Sequence, residues 1–262
     1  MYKKAVFWFL LFSFVAASPR SVSAQTERLA LPVQTSVDRI VIDPGFGGKD
    51  FGAAGCMEGV YGKDVNLQIS RKLAKRIREE LHLEVIMTRT DEQFVTLERR
   101  TALANMKSAD LFVSIHCNAH QDQGVYGIET YFLNLVIDAN AVTVVAKENV
   151  NSEKNIKDLQ IILNDLMLNT RTAESRLLAG YVQASLYRHM KDRYSFIKNR
   201  GIKQAPFYVL IGAEMPSILI EVSFISNPRE CKRLMSEDYQ GNLCEGIMKG
   251  IEQYVRSIEN RN

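Results

Sequence analysis

The stretch Ile40-Val-Ile-Asp-Pro-Gly-Phe-Gly-Gly-Lys49 decides the fold. Its apolar run ends in Asp-Pro-Gly, and three glycines lie within four positions. This pattern predicts a buried strand that stops in a tight, open turn. Strand ends of this kind are where α/β proteins usually build their sites. Phe46, at the centre of the turn, is therefore the first residue that a functional interpretation must explain.

Strand and helix patterns alternate along the rest of the chain. Strands are predicted at 39–43, 83–88, 111–116, 127–133, 207–211 and 217–224. Helices are predicted from Asp64, which is expected to cap the first one, and at 96–105, 174–190 and 238–258. This alternation predicts a single α/β domain with a largely parallel sheet flanked by helices. Residues 136–172 break the rhythm with polar residues and a helical pattern, which indicates an inserted helical segment.

The first 24 residues have the features of a cleavable secretory signal peptide. Lys3 and Lys4 precede an apolar run, and the segment ends in Val22-Ser-Ala24. The alternative is a membrane anchor, but the run is short for a span. We expect a polar leader at 25–37, a domain at 38–262, and a periplasmic or secreted protein with no stable membrane anchor after cleavage. Cleavage lowers the formal charge from +3 to 0, which gives no indication of a nucleic-acid partner.

Four cysteines follow the leader: Cys56, Cys117, Cys231 and Cys244. Export permits disulfides, although a domain of this length does not need them. A Cys231–Cys244 pair and free thiols both remain open.

Two ionisable residues stand out because they lie in apolar strands. His116 ends the third strand, where α/β proteins place ligands, although a buried structural histidine is about as frequent. Glu221 lies inside Ile218-Leu-Ile-Glu-Val-Ser-Phe224. A carboxylate there is costly unless it is paired or functional. A general base with a raised pKa and a structural salt bridge are both consistent with it.

Several motifs together resemble the zinc-dependent N-acetylmuramoyl-L-alanine amidases of the amidase_3 family. They occur in family order across nearly the whole chain after the leader. The matching pieces are Ile40-Val-Ile-Asp-Pro-Gly, Lys63-Asp-Val-Asn-Leu67, Met87-Thr-Arg89, Leu97-Glu-Arg-Arg100, Ser114-Ile-His-Cys-Asn-Ala119, Gly127-Ile-Glu-Thr-Tyr131, Asn199-Arg-Gly-Ile-Lys-Gln204, Phe207-Tyr-Val-Leu210 and Glu221-Val-Ser-Phe-Ile-Ser-Asn227.

The resemblance implies a six-stranded α/β fold and a reaction. Family members hydrolyse the amide between N-acetylmuramic acid and L-alanine in peptidoglycan. Two histidines and a glutamate bind zinc, and a second glutamate is the general base. By this resemblance Glu221 is the general base and His116 is one zinc ligand. The other two ligand positions fall on Phe46 and Gly62, which have no donor atoms.

We therefore expect zinc binding to be weak or absent, since one imidazole does not hold zinc at useful affinity. Glu58, in the glycine-rich loop before Gly62, is a possible substitute ligand, and His120 lies past the strand end. Cys117 is expected to face away from His116. Asp43 and Asp50 are expected to cap the turn's backbone.

Three functions remain. One is a catalytically impaired peptidoglycan-binding protein, the second is an active amidase with an altered metal site, and the third is a non-catalytic interaction protein. In relatives, a helix in the inserted segment covers the zinc until a protein activator displaces it. Acids of this segment, among them Glu148, Glu153 and Asp158, are close enough in sequence to reach the groove. Simple solvation of these acids is the alternative. Without a metal partner, the helix is expected to dock less firmly.

Overall fold

In the computed structural model the residues described are 36–134, 138, 141–150 and 170–261, and they belong to one compact unit. The predicted signal peptide, Glu153 and Asp158 lie outside them. Within these ranges no helix has the length and apolar character needed to cross a membrane.

The described residues form six strands and six α-helices. The strands are β1 (Arg39–Pro44), β2 (Glu84–Met87), β3 (Leu111–Asn118), β4 (Ile128–Leu133), β5 (Asn199–Ala205) and β6 (Ser217–Phe224). The helices are α1 (Gly62–Arg76, extended by a wider turn at Ile77–Leu81), α2 (Leu97–Met106), α3 (Val142–Glu148), α4 (Thr170–Lys191), α5 (Pro228–Leu234) and α6 (Glu237–Glu259).

The strands form one sheet in the order β2-β1-β3-β6-β4-β5. Every neighbouring pair is parallel except β4 with β6. The central strands β3 and β6 are buried along their whole length, as expected for a sheet covered on both faces. The prediction of a single α/β domain with a six-stranded, mostly parallel sheet is confirmed.

The fifth strand was predicted in the wrong place. Residues 207–211 form a short 3₁₀ turn at Tyr208–Leu210, whereas the strand is the polar segment Asn199–Ala205. This strand lies at the sheet edge, where only one of its seven residues is fully buried. Its sequence therefore lacks the apolar run that marks an inner strand, and the apolar run that follows packs in the core without pairing.

The start of α1 also differs from the prediction. The helix begins at Gly62, with Tyr61 as an N-cap that makes no side-chain hydrogen bond. Asp64 lies in the first turn instead of capping it, where its charge favours the positive end of the helix dipole. The prediction that Cys117 faces away from His116 is confirmed, because Cys117 lies in the core cluster shared with α1, α4 and α6.

Candidate functional site

Strand register places three ionisable residues in one row across the sheet. His116 of β3 pairs with Glu221 of β6, and Glu221 pairs with Glu129 of β4. All three are buried, with exposed fractions of 3%, 0% and 1%. The two residues chosen from the sequence therefore lie side by side, next to a third that the sequence reasoning did not single out.

Glu221 has no partner for either carboxylate oxygen among the described residues. Burial raises the pKa of Glu221 well above its ordinary value, and the nearby carboxylates of Glu148 and Glu129 raise it further. The salt-bridge interpretation of Glu221 is therefore not supported by the contacts of this residue. Burying an unpartnered carboxylate costs free energy. Such a site therefore favours the neutral acid, or a carboxylate that binds a cation.

Glu129, by contrast, is fully paired. Its Oε2 accepts from Arg200 Nε at 3.0 Å and from Lys203 Nζ, and its Oε1 accepts from Asn118 Nδ2 at 2.7 Å and Tyr131 Oη at 2.9 Å. In the sequence, Glu129 carries the same signal that marked Glu221, because it too is a glutamate inside an apolar strand. Its two cationic partners come from the polar edge strand that hydrophobic patterning missed.

The turn after β1 is held by two arginines that bind its carbonyl oxygens. Arg89 donates to Pro44 O at 3.1 Å and to Gly45 O at 2.9 Å, and Arg100 donates to Pro44 O at 2.7 Å and to Phe46 O at 2.8 Å. These four hydrogen bonds hold the turn through main-chain oxygens and do not involve the Phe46 side chain.

Asp43 does not cap the backbone as predicted. Its carboxylate is buried and accepts from Arg100 Nη1 at 2.8 Å, Ser114 Oγ at 2.6 Å and Thr88 Oγ1 at 2.5 Å. The Arg100 guanidinium and these hydroxyls outweigh burial and lower the pKa of Asp43. A carboxylate in a covered sheet needs such partners, and the predicted backbone role would have left its charge unpaired. Asp50 does cap the turn, accepting from Gly52 N at 3.2 Å.

The Phe46 ring fills the space between His116 and Gly62. It packs edge-on against His116, with ring centroids 5.0 Å apart. A Cβ built on Gly62 would lie 3.5 Å from the same ring, and one on Gly52 only 2.2 Å from it. The pocket lined by Phe46 and His116 has a volume of about 10 Å³, roughly that of one water molecule. Phe46 adopts a left-handed backbone, with φ of 62°.

Glu148, at the end of α3, reaches His116. Its Oε2 lies 2.8 Å from His116 Nδ1, and its side chain is 9% exposed. The expectation that an acid of the inserted segment reaches the groove is confirmed for this residue, and its alternative, a solvated acid, is excluded. The sequence allowed this residue to reach the groove, with solvation as the favoured alternative, and it did not indicate the contact with His116.

The described part of the inserted segment packs against the rest of the domain. Val144 and Val145 are buried, Lys147 donates to Ala119 O at 2.9 Å, and Asn149 donates to Pro206 O at 3.0 Å. These contacts argue against the expectation that this helix docks less firmly. How often the helix leaves the domain stays a prediction.

The family zinc ligands do not fit this chain, because neither Phe46 nor Gly62 supplies a donor atom. A different set does converge: one donor atom from each of His116, Glu148 and Glu221 lies within 4.8 Å of the other two. The unpartnered oxygens of Glu221 are compatible with a cation at this point. Three nitrogen and oxygen donors also match the number that catalytic zinc sites use.

The other candidate donors lie outside this cluster. Glu58 is exposed on the loop before Gly62, and the structure does not bring it to His116. His120 is exposed, and its Nδ1 accepts from Asp122 N at 3.0 Å. Both residues are therefore turn or loop residues in this conformation.

A second, larger pocket adjoins the row at Glu129. Its volume is about 200 Å³, against about 10 Å³ beside Phe46. Its lining residues include Asn118, His120, Glu129, Thr143, Arg200 and Phe224.

Comparison with known proteins agrees with this fold. The family model Amidase_3, described as N-acetylmuramoyl-L-alanine amidase, matches residues 40–253. N-acetylmuramoyl-L-alanine amidase AmiC of Escherichia coli is 32% identical over 227 residues, which cover 82% of this chain and 52% of AmiC. The chain thus spans about half the length of that relative.

Two solved structures extend the comparison. The crystal structure of N-acetylmuramoyl-L-alanine amidase from Clostridium difficile 630 is similar at a TM-score of 0.66 and 32% identity, covering 85% of this chain and 98% of that one. The CwlD amidase from Clostridioides difficile, solved in complex with the GerS lipoprotein, is similar at a TM-score of 0.65 and 28% identity, covering 84% and 99%. The chain belongs to the Amidase_3 family, whose model is described as N-acetylmuramoyl-L-alanine amidase.

Proposed function

We propose that this chain is an exported peptidoglycan-binding protein in which amide hydrolysis is impaired. The observation that carries the proposal is the position of Phe46. Its ring occupies the space between His116 and Gly62, where the family's ligand set would meet. The signal peptide predicted from the sequence supports export to the periplasm or beyond.

The residues that remain are poorly suited to hydrolysis. Without a zinc ion to polarise the carbonyl, Glu221 contributes only its own acid–base effect. Burial raises the pKa of Glu221 well above its ordinary value, which favours the protonated carboxyl group over the carboxylate that would accept a proton from water. His116 is engaged by Glu148 on one side and by the Phe46 ring on the other. Zinc binding at the family positions is accordingly proposed to be weak or absent.

Retention of a binding surface is supported by the pocket next to Glu129. It is open enough for a ligand, and Arg200 offers a half-buried guanidinium there. A stem peptide of peptidoglycan carries carboxylate and amide groups, which this polar lining suits. The proposal is that glycan-linked peptide binds here while the catalytic position stays closed.

The second candidate is an active amidase with an altered metal site. The convergence of His116, Glu148 and Glu221 favours it. However, if both carboxylates bind the ion, no carboxylate in the cluster is left as general base. Glu58 takes part only if the loop that carries it rearranges.

The third candidate is an interaction protein without a glycan role. The CwlD amidase was solved with a lipoprotein partner, which supports a protein regulator as a possible partner of this chain. The inserted segment is the surface we propose for such a contact, because α3 already covers His116.

Metal content, turnover and sedimentation separate the three candidates. Residues 25–262 are purified, bound zinc is measured, stem-peptide release is assayed, and the protein is sedimented with peptidoglycan. We expect sedimentation without stoichiometric zinc or turnover. Arg200→Ala is expected to weaken sedimentation several-fold, whereas Arg256→Ala, on the exposed face of α6, is the matched control.

Each alternative has its own outcome. Stoichiometric zinc that is lost in His116→Ala, together with turnover, would establish the altered metal site and overturn the impaired enzyme. If the wild-type chain does not sediment with peptidoglycan, the interaction protein without a glycan role is the candidate that remains. Equal sedimentation of the Arg200 and Arg256 variants would exclude the proposed pocket.

A further inference from the structure

Cys56 and Cys231 meet where the glycine-rich loop touches α5. They are 175 positions apart in sequence, yet the Cys56 N–H donates to Cys231 Sγ at 3.0 Å. Cys56 is exposed and Cys231 is buried. The backbone of one cysteine already touches the sulfur of the other, so rotation of the Cys56 side chain is the main movement needed to join them.

The other two cysteines are differently placed. Cys244 Sγ donates to Ile69 O at 3.4 Å, and Cys117 is buried in the same core cluster as Cys231, without a described hydrogen bond to its sulfur. Cys56 is therefore a better partner for Cys231 than either of these cysteines, because its backbone already contacts the Cys231 sulfur. The Cys231–Cys244 pairing considered from the sequence is not the arrangement that the fold favours.

We propose that Cys56 and Cys231 form a disulfide when the chain is oxidised after export. A disulfide-containing oxidant, of protein or small-molecule kind, supplies the chemistry. The Cys56 thiol loses its proton and attacks one sulfur of the oxidant, which releases that oxidant's other sulfur as a thiol. The Cys231 thiol then loses its proton and attacks the Cys56 sulfur, which forms the Cys56–Cys231 bond and releases the oxidant's remaining sulfur as a second thiol. The two cysteines give up two electrons and two protons, and the oxidant's disulfide becomes two thiols.

The pair suits a structural bond better than a reactive thiol. Burial, followed by a hydrogen bond with the Cys231 thiol, raises the pKa of Cys56 to about 11. Only a small fraction is thiolate at neutral pH, which makes uncatalysed exchange slow. Once formed, a bond that closes so long a loop restricts the unfolded chain strongly.

The bond would fix the loop that shapes the candidate site. This loop is a small hairpin in which Gly55 N donates to Val60 O at 2.8 Å, and it leads directly into Gly62. Gly52, in the same loop, packs against the Phe46 ring. Anchoring Cys56 on α5 therefore holds the loop against Phe46, a role separate from zinc, turnover or glycan binding.

The test is peptide mapping of the full chain recovered from a bacterial periplasm. Free thiols are alkylated while the chain is unfolded in denaturant, because Cys117 and Cys244 are buried, and the digest is analysed without reduction. We expect a linked Cys56–Cys231 peptide and two alkylated cysteines. The same protein made in the cytoplasm and incubated with oxidised glutathione at about pH 9, where more of the Cys56 thiol is ionised, should gain the same link, which separates failure of pairing from failure of export. Full alkylation of Cys56 in both samples, or a Cys231–Cys244 link, would overturn the proposal.

Stability gives a second measurement. Reductant should lower the melting temperature of the oxidised wild type by about 5–10 °C. Cys56→Ser, at an exposed position, should show a similar melting temperature with and without reductant, whereas Cys244→Ser should keep the full response. A response to reductant that survives in Cys56→Ser would contradict the assignment.

Discussion

The edge of the Phe46 ring packs against the imidazole of His116, with centroids 5.0 Å apart and planes inclined at 66°. The same ring lies 3.5 Å from the point where a side chain would leave Gly62. One aromatic ring therefore touches His116 and would be in van der Waals contact with a side chain built at Gly62. This contact couples the two positions, because a glutamate at position 62 would have to pack against the Phe46 ring, and its Cβ would also lie 3.3 Å from Ala53 N.

This coupling predicts that the two reversions act together on zinc binding. Gly62→Glu alone should destabilise the fold by about 1–3 kcal/mol through overpacking and bind no zinc. Phe46→His alone should open the space and give weak binding. The double variant should bind about one zinc per chain, as titration calorimetry would measure.

The matched control replaces an exposed aromatic residue of the adjacent loop. Phe51→His combined with Gly62→Glu adds the same two side chains but leaves Phe46 in place. It should not bind zinc. Stoichiometric binding by Gly62→Glu alone, or by this control, would show that Phe46 does not block the position.

The second prediction concerns the pH dependence of stability. The folded protein keeps a proton on Glu221 that the unfolded chain releases near its ordinary pKa of 4.5. The stability this provides is complete below that pH and falls as the pH rises, until Glu221 ionises in the folded state. The slope reaches about 1.4 kcal/mol per pH unit for one such group. Glu221→Gln should remove it in urea unfolding measured from pH 4 to 8.

The exposed Glu58 supplies the control, since Glu58→Gln should keep the wild-type slope. Burial also raises the pKa of Glu230, to about 7, with the same sign. That contribution is present in every variant and cancels in the difference between them. Parallel curves for the wild type and Glu221→Gln would mean that Glu221 is ionised in the folded protein.

The inner part of the fold and half of the site were predictable from the sequence. β1, β3 and β6 are apolar runs, and the polar residues within them, His116 and Glu221, stand out for that reason. Phe46 and Gly62 were located through the family pattern, which fixes position but not packing. That the ring of one fills the space beside the other follows only from the folded chain.

The rest depended on contacts that local sequence does not encode. β5 is polar because it lies at the edge of the sheet, so Arg200 and Lys203 were missed as partners of Glu129. Glu148 belongs to a segment without strand rhythm, and its distance to His116 is set by the docking of α3. Cys56 and Cys231 meet across 175 positions, which no spacing rule predicts.

The third prediction concerns the buried pair beneath the turn. Asp43→Ala leaves the Arg100 guanidinium buried without its carboxylate, and the side chains of both residues are at most 2% exposed. The expected loss is about 3–5 kcal/mol in urea unfolding. Glu84→Ala breaks the exposed Arg39–Glu84 pair and should cost under about 1 kcal/mol. Equal losses would show that the buried network does not hold the turn.

The last prediction concerns the close approach of the turn to the retained histidine. A Cβ built on Gly45 would lie 2.3 Å from His116 Nε2, inside the imidazole ring's contact distance. Gly45→Ala should therefore push the ring away and destabilise the fold by about 1–3 kcal/mol. Gly241→Ala is the matched control, because a Cβ at this position in α6 would meet no described atom within 4 Å beyond its own helix. There the alanine should stabilise the fold by about 0.4–1 kcal/mol by restricting the unfolded chain. Thermal unfolding of both variants measures the contrast, and a neutral Gly45→Ala would mean that His116 has room to move.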